Sequence, residues 1–249
     1  MRPIGDGIRL AQASTHYLCH SPSASFNWLS TATPQEILRW GIETYFPKLT
    51  MATAFGPEGC IILHMLAEIE PRVRVFNLDT GYQFPETLAL RDQIADQYGI
   101  EVELVRPETT VAAYEAAHGG PIYATDPDLC CFERKLTPLR RSVAGYEAWI
   151  SAIRADQSKH RARADVVGWD AKFGLVKINP LLRWNKRDVW AYIVTHDVPY
   201  NPLHDQGFPS IGCWPCTRPV APGQDERAGR WPGQAKTECG LHSLDSSQL

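Results

Sequence analysis

Four of the seven cysteines in this chain fall into two pairs, Cys130-Cys131 and Cys213-x-x-Cys216. Two thiolates at CxxC spacing chelate one metal centre, and four supply the full ligand set of a zinc ion or an iron–sulfur cluster. The vicinal pair tilts toward the cluster: neighbouring side chains project apart, which strains a mononuclear site and suits the spread irons of a cubane. Buried free thiols and a thioredoxin-type redox pair are the alternatives, and the second leaves Cys130-Cys131 without a role. Cys19 and Cys60 stand alone and read as apolar fillers or incidental thiols.

The seventh cysteine, Cys239, has no cysteine near it and precedes Gly240, with Lys236 and His242 close by. A cationic setting turns a thiol into a strong nucleophile. By residue type alone, an incidental exposed thiol is an equal reading. Between positions 134 and 163 lie eight Lys or Arg residues, opposed only by Glu147 and Asp156, and Arg218, Arg227 and Arg230 come later in the chain. In a chain of net charge −3, that concentration points to an anionic ligand, for which guanidinium is suited, or else to a solvated basic face.

These groups need a scaffold. Thr33-Pro34-Gln35-Glu36 predicts a capped helix start running toward Phe46. Strands are expected over 49–55, 73–78 and 102–105, with helices over 60–69 and 85–98 between them. A further helix is expected from Asp126-Pro127-Asp128, a strand over 147–153, a basic loop over 158–175 and a helix over 186–196 capped by Asn185. Such βα alternation implies a parallel sheet wrapped by helices, with ligands beyond the C-terminal strand ends. The two exits to inspect are Phe55-Gly56-Pro57-Glu58-Gly59, which opens a helix whose amides can cradle an anion, and Leu78-Asp79-Thr80-Gly81, which offers a carboxylate and a hydroxyl. Asp-Thr-Gly is equally good turn chemistry. After residue 198, Pro and Gly predict irregular structure and a mobile tail.

Composition sets the outer bounds. With 44% hydrophobic and 21% charged residues, 249 residues suit one globular domain. Net charge argues against a nucleic-acid binder, and the lack of a long apolar run argues against a membrane protein. Neither a secretory signal nor paired disulfides is evident, so the cytoplasm is the expected compartment.

Together the motifs resemble the assimilatory adenylylsulfate reductases, close relatives of the phosphoadenylylsulfate reductases. The resemblance rests on FGPEG at 55–59, LDTGYQFPET at 78–87, CCFERKLTPLRR at 130–141, VKINPL at 176–181, VPYNPLHDQGFPSIGCWPCTRP at 198–219, ERAGRW at 226–231 and KTECGLH at 236–242. It covers roughly residues 30–242.

The resemblance implies an α/β, Rossmann-like parallel sheet of the ATP-pyrophosphatase (adenine nucleotide alpha hydrolase-like) type with a mobile C-terminal tail. Residues 1–30 carry no clear periodicity and are expected to be loosely ordered or interface-forming; the rest divides into a reductase domain 31–225 and a catalytic tail 226–249. The resemblance also implies a [4Fe-4S] cluster on Cys130, Cys131, Cys213 and Cys216, with Cys239 as the nucleophile. Substrate contacts are expected from Phe55, Gly56, Leu78, Asp79, Thr80, Gly81, Lys135, Arg154, Arg227, Arg230 and His242. The implied activity is thioredoxin-dependent reduction of adenosine 5′-phosphosulfate to sulfite and AMP through S-sulfocysteine, with thioredoxin or a similar dithiol protein as partner and room for a homo-oligomer. Where the family carries Gly and two adjacent basic residues, this chain has Ala152-Ile153-Arg154-Ala155, leaving Arg161 and Arg163 as further candidates. FGPEG in place of SGG argues against a pyrophosphatase reaction. Rival readings are reduction of the 3′-phosphorylated nucleotide, a tRNA thiolase, and a non-catalytic zinc-stabilised nucleotide-binding protein.

Overall fold

A computed structural model describes residues 27–236 and 238–242. The chain divides into Met1–Ala32 and Thr33–Leu249. The described part of the first unit comprises one 3₁₀ turn, Asn27–Ser30, and residues 31–32. Cys19 and most of the expected segment 1–30 lie outside the described residues.

The second unit opens with α1 (Pro34–Tyr45), whose start is fixed by a reciprocal capping box. The Thr33 hydroxyl accepts from the Glu36 N–H, and the Glu36 carboxylate accepts from the Thr33 N–H at 2.7 Å. Then come β1 (Leu49–Thr53), α2 (Pro57–Ile69), β2 (Arg74–Leu78), α3 (Pro85–Tyr98) and β3 (Val102–Val105). After α4 (Val111–His118) and α5 (Ile122–Thr125), α6 (Pro127–Cys131) runs through a π turn at Phe132–Leu136 into α7 (Thr137–Val143). The series ends with β4 (Ala148–Ile150), β5 (Val167–Asp170), β6 (Leu175–Ile178) and α8 (Lys186–His196).

The sheet order is β3-β2-β1-β4-β6-β5. Five strands are parallel, and β5 pairs antiparallel with β6 at the edge. That edge strand corrects the expectation of a loop over 158–175. A four-residue turn closed by Gly174 (φ 70°) carries the chain from β5 into β6, with the Gly174 N–H donating to the Asp170 carbonyl at 2.8 Å. The inner strands are buried on both faces: Leu49, Thr50 and Met51 of β1 and all three residues of β4 are buried. The chain places β2 on one side of β1 and later β4 on the other, so the strand order reverses between them. That switch point is where open α/β sheets bind ligands. No helix among the described residues is long and apolar enough to cross a membrane.

Candidate active site

At the switch point the strand exits open into a cavity of about 560 Å³, within the usual range for a small-molecule site. Phe55 leaves β1 in the left-handed region (φ 55°), with its N–H donating to Thr53 Oγ1 at 3.1 Å. This abrupt turn aims the start of α2, with Gly56, Pro57 and Glu58, into the cavity. From β2, Leu78 and Thr80 reach the wall. Phe55, Asp79 and Gly81 are not in it. Phe55 is buried, and the Asp79 carboxylate accepts from the Gly81 N–H at 3.0 Å and from Arg106 Nε at 2.9 Å. These three residues shape the two exit turns.

The four paired cysteines come together although more than eighty residues separate the pairs. Asp126 caps α6 by accepting from the Leu129 N–H at 2.9 Å, which sets Cys130 and Cys131 at the helix end. Opposite, the 3₁₀ turn Trp214–Cys216 is tied by Cys216 N–H to the Cys213 carbonyl at 3.0 Å and by Thr217 Oγ1 to the same oxygen at 2.9 Å. All four line one small void beside the main cavity. Burial, reinforced by the other three thiols, pushes the Cys130 pKa up to about 12. For Cys213 burial also opposes ionisation, but Lys135, Thr80 and Arg230 outweigh it and lower the pKa. Among the described residues, no group of three or more His, Cys, Asp or Glu side chains is arranged to hold a metal ion.

Lys135 comes four residues after Cys131, through the π turn, and lines both the void and the cavity. A π turn adds a residue to the helical repeat and re-aims the side chains beyond it, a distortion common at functional sites. Arg230 lies with its guanidinium 4.5 Å from the centre of the Trp231 ring. A Cβ at Gly212 would collide with that guanidinium, so a side chain there would push Arg230 out of its place. Among the described residues, no carboxylate lies within ion-pair distance of Lys135 or Arg230. Arg154, by contrast, is buried against Glu58, Asp156 and Glu226. Arg161 lines the cavity and pairs with Glu238 at 3.0 Å, whereas Arg163 is exposed outside the wall.

The tail is seated in this wall. Glu238 accepts from Ser158 (2.9 Å), Arg161 (3.0 Å) and Arg227 (3.1 Å). Burial opposes its charge, but Arg161 and Arg227 prevail and hold its carboxyl below the usual range. Loss of solvation, reinforced by Arg161, brings the Arg227 pKa down to about 10. Cys239, next along the tail, packs against Cys131, Cys216 and Trp231 and lines the cavity. Gly240 then reverses the chain (φ 81°), bringing His242 to the same wall. Cys60, by contrast, is fully buried in the first turn of α2, with Sγ 3.7 Å from the Phe55 carbonyl, and burial pushes its pKa up.

Of the residues expected from the sequence, Gly56, Leu78, Thr80, Lys135, Arg154, Arg227, Arg230, Cys239 and His242 all line the cavity. Sequence reasoning misses Glu238, which orders the basic cluster from the tail side; its place beside Cys239 and within reach of several arginines is the available signal.

A switch-point cavity in a mostly parallel α/β sheet, walled by cations and entered by a thiol-bearing tail, defines a nucleotide-type α/β protein equipped for thiol chemistry. The model of the phosphoadenosine phosphosulfate reductase domain matches residues 48–219, and the chain belongs to that family. A phosphoadenosine 5′-phosphosulfate reductase of Gloeobacter violaceus is 50% identical over 84% of this chain and 88% of its own. An adenosine 5′-phosphosulfate reductase of Streptomyces coelicolor is 45% identical, covering 86% of this chain and 90% of its own. Among solved structures, a phosphoadenylyl-sulfate reductase from Candida auris superposes with a TM-score of 0.69 at 34% identity, covering 76% of this chain and 92% of that one.

Proposed function

We propose that this chain reduces adenosine 5′-phosphosulfate to sulfite and AMP, with Cys239 as the nucleophile. The observation that carries this reading is the position of Cys239 in one cavity wall with Lys135, Arg227 and Arg230. The Cys239 thiolate attacks the sulfur of the mixed anhydride, an S–S bond forms, the S–O bond to phosphate breaks, and AMP leaves with the electron pair. Lys135, Arg227 and Arg230 offset the charge that grows on the departing phosphate. A thioredoxin-type dithiol then attacks Cys239 Sγ and expels sulfite. Its second thiol resolves the mixed disulfide, so two electrons pass from dithiol to sulfur. A reducing compartment, the cytoplasm, suits a catalyst that must return to a free thiol.

Cys130, Cys131, Cys213 and Cys216 would hold a [4Fe-4S] cluster. Four thiols around one void, three of them buried and that of Cys213 half-buried, are the full ligand set, and a cubane spreads its ligands wider than one ion does. When bound, the cluster supplies fixed negative charge and thiolate cross-links between α6 and the 213–216 turn.

The name of the Gloeobacter relative favours a second reading, reduction of the 3′-phosphorylated nucleotide. A 3′-phosphate needs its own cation or is left desolvated. Away from the cluster around Cys239, the cavity's Lys and Arg side chains are Arg154 and Lys186, and both already pair with Glu58, Asp156 or Glu226. Sulfite release measured on both nucleotides with a thioredoxin system is therefore expected to show higher kcat/KM for the unphosphorylated one. Equal or higher efficiency on the 3′-phosphorylated form overturns that preference.

The two cations without a carboxylate partner supply a second expectation. Lys135→Ala and Arg230→Ala should each weaken handling of the nucleotide, because a lost charge-assisted contact to a bound anion costs about 1.5–3 kcal/mol. Thermal unfolding should change little, since no carboxylate partner is orphaned. Normal kcat/KM in both variants would mean that these groups face solvent and not substrate.

A further inference from the structure

His242 occupies an unusual electrostatic position. Its ring lies parallel to Trp149, 6.2 Å between centroids and 4° between planes. Four cations from separate segments bear on it: Lys177 on β6, Lys172 in the β5–β6 turn, Arg161 after β4 and Arg227 at the start of the tail. Loss of solvation, with these charges adding to it, holds its pKa well below the ordinary value, so the ring is neutral. Lys177 Nζ stands 3.3 Å from Nδ1. Lys177 is itself held over the Trp149 ring at 4.8 Å and lies 3.8 Å from Asp170 Oδ2. Burial brings its pKa down to about 8, which leaves it mostly protonated at neutral pH. An ammonium has donors and no acceptor. Nδ1 must therefore accept, and the single ring proton resides on Nε2. The neighbouring Lys172 donates from Nζ to the Gly240 carbonyl. The β5–β6 hairpin thus grips the tail at residues 240 and 242, immediately after Cys239.

We propose that Lys177 is a positioning residue for sulfur transfer: it fixes His242 as a neutral Nε2–H donor toward an oxygen of the bound anion and, with Lys172, seats the tail that carries Cys239. This rests on the proposed activity. Physically, the device supplies a directional hydrogen bond without adding a charge to a wall already crowded with cations. It also ties the orientation of the thiol to a rigid strand and not to the loop alone, and misplacement of a reacting group by about 1 Å can cost about a hundredfold in rate.

Nitrogen NMR of the histidine-labelled, iron-loaded enzyme tests the first half. The His242 signal, assigned by comparison with His242→Asn, is expected to show the Nε2–H tautomer between about pH 6 and pH 8. Lys177→Met should release it into a mixture of tautomers. The same variant should slow single-turnover AMP release by about tenfold to a hundredfold, with unchanged iron content. Lys177→Arg, which keeps a donor, should recover most of the rate. A parent ring protonated on Nδ1 or on both nitrogens, or a Lys177→Met enzyme within about twofold of the parent rate, overturns the proposal. If Lys177→Met fails to fold, the parent spectrum and Lys177→Gln still decide it. A parent enzyme that makes no sulfite at all defeats the activity and leaves the tautomer measurement to judge Lys177 independently.

Discussion

Cys239→Ser should bind the nucleotide and retain its iron yet release no sulfite, a loss of at least about a thousandfold. The effect is large because an alcohol at neutral pH is a far weaker nucleophile than a thiol, and because no other cysteine among the described residues is placed to substitute. Cys60 is sealed on the buried face of α2, and burial makes its thiolate costly. Cys130, Cys131, Cys213 and Cys216 face the small void as a set. The substitution removes little else. Glu238 keeps its three donors, Gly240 keeps its turn, and Lys135 and Arg230 keep their places in the wall. Enzyme mixed with nucleotide in the absence of reductant should release one AMP per site and gain one sulfonate on the tail peptide, which a thioredoxin-type dithiol then removes. Mass spectrometry decides the matter: an adduct on another cysteine, or full turnover by Cys239→Ser, sinks the mechanism.

Two helices with chemically marked ends, α3 and α8, are legible in the sequence to the residue. α3 runs from Pro85 to Tyr98, where Gly99 turns left-handed, and α8 begins after Asn185, whose side chain accepts from the Arg187 and Asp188 N–H groups. The helices α4 and α5 escape such a reading. In α4 only Tyr114 is buried, so no apolar stripe announces it, although the Thr110 cap and the left-handed Gly119 mark its ends. Strand β5 reads as loop because an edge strand needs only one partner and shows no apolar alternation; its Trp169 is 68% exposed. In the site, the chemistry-bearing types are visible in the sequence and their partners are not. Arg154 is basic in sequence, but its commitment to Glu58, 96 residues away, is a tertiary fact. The same holds for Lys177, which lies 65 residues from the histidine it touches. Asp79 and Gly81 read as ligand contacts, yet Asp-Thr-Gly here serves its other use, with the carboxylate closing its own turn.

The second large effect concerns the paired cysteines. Purified anaerobically, the protein is expected to be brown and to carry about four irons per chain, as four thiolates suit one cubane. Cys131→Ser and Cys216→Ser should lose iron and activity together. The reason lies in where the void sits. Cys131 and Cys216 pack against Trp231 and, on the same side, against Cys239. Cys213 touches Thr80 of the β2 exit, with Thr80 Oγ1 3.3 Å from its Sγ, and lies against Lys135. Cross-links among these four sulfurs would therefore fix the π turn that aims Lys135 and the turn whose Gly212 makes room for Arg230. Losing one ligand should loosen Lys135 and Arg230 at once, so sulfur transfer should fall by more than Lys135→Ala alone removes. Removing Cys60 in the same way should leave iron content unchanged, because it lies outside the void. Iron analysis, the visible spectrum and single-turnover AMP release on each variant check the linkage. Tightly bound zinc with no visible absorption, or an iron-free protein turning over at the full rate, would show that the four thiols serve a different end.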